Sequence, residues 1–285
     1  MSSLYVVATP LGNLGDFSPR ALQTLRDATL ILAEDTRVTR KLLSASGIKT
    51  PLESCHEHNE AVKARKIVER MAEEEMTIAL VTDAGTPAIS DPGARVVRAV
   101  SEAGFPVFAV PGPSAFAAAL SVSGFEDKEF TFFGFPPRKK SDLMEKIKNL
   151  AGQSRLAVFY ESPHRIMELL NAIAKEHPQA LLSVSRELSK IHEQTLHGTA
   201  REVAARFGND ESICRGEFCL VLKIPFRQET EPVDKAAIGL EAELVNLMVA
   251  GMTLREAMDA MISQGWKKNA VYAASLHLKR LAEML

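Results

Sequence analysis

Along the first 120 residues, short apolar runs that stop at Gly, Pro and small hydroxyl residues alternate with stretches whose apolar positions recur every three or four residues. Leu4 to Ala8 predicts a buried strand. Pro19 to Arg26 predicts a helix with Ser18 as N-cap and Pro19 at its first position, and Thr29 to Ala33 a second strand, which completes a βαβ unit. Arg37 to Ser46 reads as a helix that stops at Gly47, and Glu60 to Glu75 as a strongly charged helix. A strand at 77 to 81, a helix from Ala94 to Ala103 and a strand at 107 to 110 follow. Strands alternating with helices imply a mainly parallel sheet. The small-residue helix Ala115 to Leu120 then leaves Ser114 and carries the chain out of this first α/β domain, residues 1 to 120.

The pattern then changes. Phe130 to Phe135 predicts an aromatic strand ending in Pro136 and Pro137, followed by a helix from Ser141 to Leu150. Strands at Leu156 to Tyr160, Ala180 to Ser185 and Glu217 to Ile224, with a helix from His164 to Lys175, make residues 121 to 226 a second α/β domain with a mixed sheet. Residues 227 to 237 have linker composition. Beyond them Glu241 to Val249, Thr253 to Ile262 and Lys268 to Ala282 predict three short helices, broken at Gly251 and Gly265, so that 227 to 285 reads as a linker and small helical domain.

Composition narrows the class. A chain of 285 residues with 46% hydrophobic residues can bury substantial cores. No apolar run approaches the roughly 20 residues of a membrane span, and the first residues lack a signal peptide's basic patch and apolar stretch. A cytoplasmic protein without a membrane partner is expected. Cys55, Cys214 and Cys219 are odd in number and lack paired metal spacing, so they read as reduced packing residues, with no metal expected. A net charge of −2 excludes indiscriminate nucleic-acid binding and leaves room for a local basic face that docks RNA.

Three predicted strands end in turns of the same kind, rich in Gly, Pro and small hydroxyls. These are Pro10-Leu11-Gly12, then Asp83-Ala84-Gly85-Thr86-Pro87, then Pro111-Gly112-Pro113-Ser114. In an open α/β sheet the carboxyl ends of strands are where ligands bind, so three such junctions point to one shared cleft. Gly85 and Gly112 would permit close backbone approach, Thr86 and Ser114 would supply hydroxyls, and Ser114 opens a helix whose first N–H groups favour an anion. Any one turn alone would be ordinary tight-turn chemistry. The glycine fingerprint of dinucleotide binding and the lysine-bearing triphosphate loop are both missing.

The runs Val7-Ala8-Thr9-Pro10-Leu11-Gly12-Asn13-Leu14, Ala33-Glu34-Asp35-Thr36-Arg37, His56-Glu57-His58-Asn59-Glu60, Val81-Thr82-Asp83-Ala84-Gly85-Thr86-Pro87 and Phe159-Tyr160-Glu161-Ser162-Pro163-His164-Arg165 carry a resemblance. Over residues 3 to 226, in collinear order, the chain resembles the ribosomal RNA small subunit methyltransferase I family, and Lys267-Lys268-Asn269-Ala270-Val271-Tyr272 is similar to that family's C-terminal helical segment. The resemblance implies the tetrapyrrole methylase fold, two α/β domains holding S-adenosylmethionine in the cleft between them, usually as a homodimer. It also implies 2′-O-methylation of a cytidine in the decoding region of 16S ribosomal RNA, free or within the small subunit. Carried over by motif, the cofactor would meet Pro10, Leu11 and Gly12, then Asp83, Gly85, Thr86 and Ile89, then Ser114 and Ala115, with Tyr160, Gly216, Glu217 and Phe218 on the other side.

Methyl transfer to a sugar hydroxyl needs positioning and a group that takes the proton. Candidates are Glu34, Asp35 and Arg37, then His56, His58 and Asn59, then Glu161 and Arg165, then Arg186 and Glu187. Of these, Asp35, Arg37, Glu161 and Arg186 are expected to face substrate. Each has an ordinary alternative: Glu34 or Asp35 as a helix cap, His56 and His58 with Cys55 as a metal group lacking a second ligand pair, Arg186 and Glu187 as a simple pair. Arg138, Lys139 and Lys140, with Lys267 and Lys268, are expected to contact RNA phosphates, although a solvated loop has the same composition. Two other classes stay open: a small-molecule methylase of the same fold acting on a tetrapyrrole or corrin precursor, and a non-enzymatic RNA-binding assembly factor.

Overall fold

A computed structural model describes residues 1–224 and 235–283. The chain divides into two compact units, residues 1–226 and 227–285. Residues 227–234 of the expected linker lie outside the described residues.

In the first unit, β1 (Ser3–Val7), β2 (Leu30–Ala33), β3 (Leu52–Ser54), β4 (Thr77–Val81) and β5 (Val107–Val110) form a parallel sheet in the order β3-β2-β4-β1-β5. The expected β1-helix-β2 unit exists, with β4 inserted between its strands. Period-two alternation in four apolar residues sends side chains to both faces. Leu30, Leu32, Ile78 and Leu80 pack under α3 (Glu60–Glu73) and α4 (Ala94–Glu102), while Ile31, Ala33, Ala79 and Val81 pack with Leu25 and Leu43 of α1 (Pro19–Asp27) and α2 (Thr36–Ala45). Ser18 accepts the Ala21 N–H and Asp35 the Arg37 N–H, so α1 and α2 each start at a side-chain cap.

A second sheet of the same unit has the order β6-β7-β10-β8-β9, from β6 (Thr131–Gly134), β7 (Leu156–Glu161), β8 (Leu181–Arg186), β9 (Gln194–Thr199) and β10 (Phe218–Lys223). Only β6 and β7 pair in parallel; β10 is antiparallel to both neighbours, which makes the sheet mixed. Ala157, Phe159, Leu182, Val184, Leu220 and Leu222 face a core closed by α6 (Lys140–Lys148), α7 (Ile166–Glu176) and α8 (Ala200–Asn209). On the reverse face Val158, Cys219 and Val221 meet Ala119 of α5 (Ala115–Val122), so the helix that leaves the first sheet packs on the second.

Three elements lie outside the sequence expectation: β3, β9 and α8. β3 and β9 are edge strands of mostly half-buried, polar residues, and no apolar alternation marks them. A capping box announces α8, in which Thr199 accepts the Glu202 N–H while the Glu202 carboxylate accepts the Thr199 N–H.

The second unit, among its described residues, is a three-helix cluster: α9 (Lys235–Val249), α10 (Leu254–Ser263) and α11 (Lys268–Glu283). Leu240, Leu244, Ala257, Met261, Val271 and Ala274 form its core.

Candidate functional site

The turns after β1, β4 and β5 are fastened to one another. Thr9 and Gly85 exchange backbone hydrogen bonds, the buried Thr9 hydroxyl donates to Thr82 O at 3.1 Å, and Thr86 Oγ1 donates to Pro113 O at 3.1 Å. Gly85 has φ +88°, and a Cβ there would come 3.3 Å from the Leu11 side chain; at Gly112 it would come 3.0 Å from Ala8 Cβ. Small residues are therefore what let the three turns share one wall.

Opposite stands the end of the second sheet, and a cleft of about 470 Å³ runs between them, in the range that takes a small molecule. Leu11, Asp83, Gly85, Thr86, Ile89, Ser114 and Ala115 of the expected cofactor set line it from the first sheet, and Tyr160, Glu217 and Phe218 from the second. Pro10, Gly12 and Gly216 lie off the lining. Pro10 is buried, Gly12 lies under the Lys190 side chain, and Gly216, at φ +92°, lies against Glu187. There the Lys190 ammonium donates to Glu187 at 3.0 Å and Glu217 at 3.1 Å, while Glu187 also accepts the Glu217 N–H at 3.0 Å. Ser189 donates to Asp16, tying the segment after β8 to the segment after β1.

Of the residues expected to face substrate, Glu161 lines the cleft. It is 2% exposed; Oε1 accepts the Ser162 N–H at 2.7 Å, and Oε2 lies 3.7 Å from Arg165 with no hydrogen-bond donor among the described residues. Asp35 and Arg37 lie off the lining. The Arg37 guanidinium beside Asp35, together with its backbone N–H, holds that carboxyl down at about 2. Asp35 caps α2, which is the ordinary alternative for an acidic residue at that point of the chain. Arg186, at the end of β8, also lies off the lining, with a buried Nε lacking a hydrogen-bond partner among the described residues. Glu187 is engaged by Lys190.

The structure adds residues that sequence reasoning passed over. Asp91 joins Glu34 and Asp83 on the first wall. Burial, then the nearby charges of Glu34 and Asp83, push Asp91 up to about 6. Asp83 is also raised, mainly by burial, although it accepts the Asp35 N–H at 3.2 Å. The one proton of the Thr82 hydroxyl goes to Glu34 at 2.6 Å. Asp91 stands just past the Asp83 turn, but Glu34, whose charge acts on it, lies 57 positions earlier, which no local pattern reports.

On the second wall the Tyr160 hydroxyl accepts the Phe116 N–H at 3.1 Å, and burial pushes its pKa up to about 12. That phenol positions the start of α5. Phe135, Leu188 and Cys219 complete this wall. His56 is half-buried and His58 exposed, with ring centres 6.0 Å apart; neither lines the cleft. Arg138, Lys139 and Lys140 are exposed where α6 begins, and Lys139 pairs with Asp142 at 3.3 Å. Lys267 and Lys268, in the second unit, are exposed at the start of α11.

Comparison with known proteins adds to this geometry. Residues 3–204 match the family model described as Tetrapyrrole (Corrin/Porphyrin) Methylases. The Pasteurella multocida protein named ribosomal RNA small subunit methyltransferase I is 38% identical, with 96% of each chain covered. Its Bacillus subtilis namesake is 38% identical, with 98% of this chain and 96% of that one covered. The crystal structure of the methyltransferase CobJ superposes with a TM-score of 0.57 at 17% identity, covering 79% of this chain and 95% of that one, which speaks to the fold alone. A cleft walled by three fastened turns, relatives matched nearly end to end and a family model matching residues 3–204 place the chain in the ribosomal RNA small subunit methyltransferase I family of the tetrapyrrole methylases.

Proposed function

We propose that the chain transfers the methyl group of S-adenosylmethionine to the 2′-hydroxyl of a cytidine in the decoding region of 16S ribosomal RNA. One observation carries the chemistry: the cleft joins an acidic wall, Glu34, Asp83 and Asp91, to a buried carboxylate, Glu161, that has an oxygen free of hydrogen-bond donors among the described residues. The names of the full-length relatives point to the RNA.

The residues present fit the cofactor. Its cationic centres suit the acidic wall, its nucleoside suits the apolar surface of Leu11, Ile89 and Phe218, and the space at Gly85 is one a Cβ would fill. Asp83, Thr86, Ser114, Ala115, Tyr160 and Glu217 would complete the holding set, with Pro10, Gly12 and Gly216 shaping it from behind. When bound, S-adenosylmethionine supplies a methyl group on a sulfonium, already a good leaving group.

The remaining tasks fall to the chain. The two walls orient the acceptor hydroxyl in line and keep water out. Glu161 accepts the hydroxyl proton at its free oxygen, which lies 3.7 Å from the Arg165 guanidinium. Asp35 and Arg37, tied to each other, take no part in proton transfer. Arg138, Lys139 and Lys140, and separately Lys267 and Lys268, meet RNA phosphates. As the family resemblance implies, the working form is a homodimer in the cytoplasm. A tetrapyrrole substrate has the description of the broad family model and fold likeness at 16–17% identity behind it, while the full-length relatives are named for ribosomal RNA.

The test is transfer from labelled S-adenosylmethionine offered to small ribosomal subunits, naked 16S RNA and a corrin precursor, with digestion of the RNA to nucleosides. Label in 2′-O-methylcytidine supports the proposal. Label in a base or in the macrocycle, or binding without transfer, overturns it.

A further inference from the structure

At the cleft's mouth stands a large apolar side chain that neither cofactor binding nor proton transfer uses. Phe135 is 58% exposed yet lines the cleft, whereas Phe133, two residues earlier, stacks on Phe159 and packs against the second-sheet core. The pairing of β6 with β7 shifts register between Phe132 and Gly134, and Gly134 has φ +64°, where an added Cβ would come 3.5 Å from Ser90 Oγ on the opposite wall. That irregularity turns the strand end, so the next side chain points across the cleft instead of into a core.

The position is also held. Arg165 donates to Pro136 O at 3.3 Å and to Pro137 O at 2.6 Å, and Tyr160 meets the Phe135 ring edge to face at 5.8 Å. Three exposed cations follow at once, Arg138, Lys139 and Lys140, at the positive end of α6. A rigid aromatic beside a short run of cations fits an unstacked base whose flanking phosphates lie alongside.

We propose that Phe135 is the platform on which an unpaired base of the RNA substrate stacks at the mouth of the cleft, with Arg138 and Lys140 taking the adjacent phosphates. This rests on the reading of the chain as an RNA methyltransferase.

The experiment compares native protein with Phe135→Ala, Phe135→Trp and Phe135→Tyr in full-length chains, using 16S RNA as substrate. It also measures S-adenosylmethionine affinity by calorimetry and the fluorescence of a pyrrolocytidine placed at the methylated position. Phe135→Ala is expected to keep its cofactor affinity within twofold and its melting temperature within a few degrees. Its kcat/KM for RNA should fall roughly 5- to 150-fold, the range of one base–aromatic stack, and the pyrrolocytidine quench should vanish. Both should return in the Trp and Tyr variants. If Phe135→Ala methylates RNA within twofold of native, or quenches fully, the platform is overturned while the RNA reading stands. Weakening of cofactor binding by tenfold or more overturns it too, by making Phe135 a cofactor contact. If the native protein labels no RNA, the functional reading falls and takes the platform with it.

Discussion

Thr9 and Gly85 clasp the ends of two parallel strands through a short antiparallel bridge, with Thr9 N–H donating to Gly85 O at 2.9 Å and Gly85 N–H to Thr9 O at 3.0 Å. The clasp needs the left-handed backbone at Gly85 and the space beside Leu11. Gly85→Ala places a Cβ in both, and a residue held in that region costs about 1–3 kcal/mol. We expect a folded variant with a lower melting temperature and an S-adenosylmethionine affinity weakened by about tenfold, the equivalent of about 1.4 kcal/mol. Calorimetry on the purified variant measures both; native values for both would show that the clasp tolerates a side chain.

Glu161→Gln keeps the shape of a buried side chain and removes its ability to take a proton. Methyl transfer should fall by about 10²- to 10⁴-fold, the usual contribution of a positioned base. Cofactor and RNA affinities should stay within a few-fold of native. Single-turnover rates at saturating substrate separate the two, and an unchanged rate would move the proton acceptor elsewhere.

Asp91 makes stability depend on pH in a direction opposite to that of a salt-bridged carboxylate. Its pKa is raised in the fold, from an ordinary 3.8 to about 6. Its contribution is therefore full below the unfolded-chain value and is lost as pH rises through about 6. Asp91→Asn should match native in melting temperature near pH 4 and exceed it above pH 6.5, a comparison that thermal melts across this range make directly. Equal melting curves at every pH would remove Asp91 as the titrating group.

Reversing Arg138, Lys139 and Lys140 to Glu should weaken RNA binding while leaving cofactor binding unchanged. Each phosphate contact with single-stranded RNA contributes about 0.7 to the slope of log affinity against log salt, so losing three would flatten it by about 2. Filter binding at several salt concentrations gives the slope. An unchanged slope would mean that these cations are only solvated.

The local part of this architecture was legible in the chain. Leu30 to Ala33 and residues 77 to 81 announce buried strands because both sheet faces are covered, and Ser18 before Pro19 marks a helix start through chemistry confined to neighbouring residues. The three turns stand out because Gly and Pro are needed wherever backbones come close. Gln194 to Thr199 left no such mark, since this edge strand has Leu196 as its one large apolar residue and no position that is fully buried. The same division runs through the site. Asp35 looked reactive from its company in the sequence, yet its nearest partner, two residues on, engages it. Asp91 drew no notice in the sequence, and its environment comes from burial and from the charges of Asp83 and of Glu34, 57 positions earlier.

The order of the second sheet has a consequence for synthesis. Its middle strand, β10, is the last of the five to leave the ribosome, and it pairs with β7 on one side and β8 on the other. Until residue 223 has emerged, two apolar strands face an open gap with unpaired backbone, the kind of edge that recruits other chains. A chain that stalls shortly before Phe218 should be aggregation-prone, and extending it by the six residues of one strand should render it soluble.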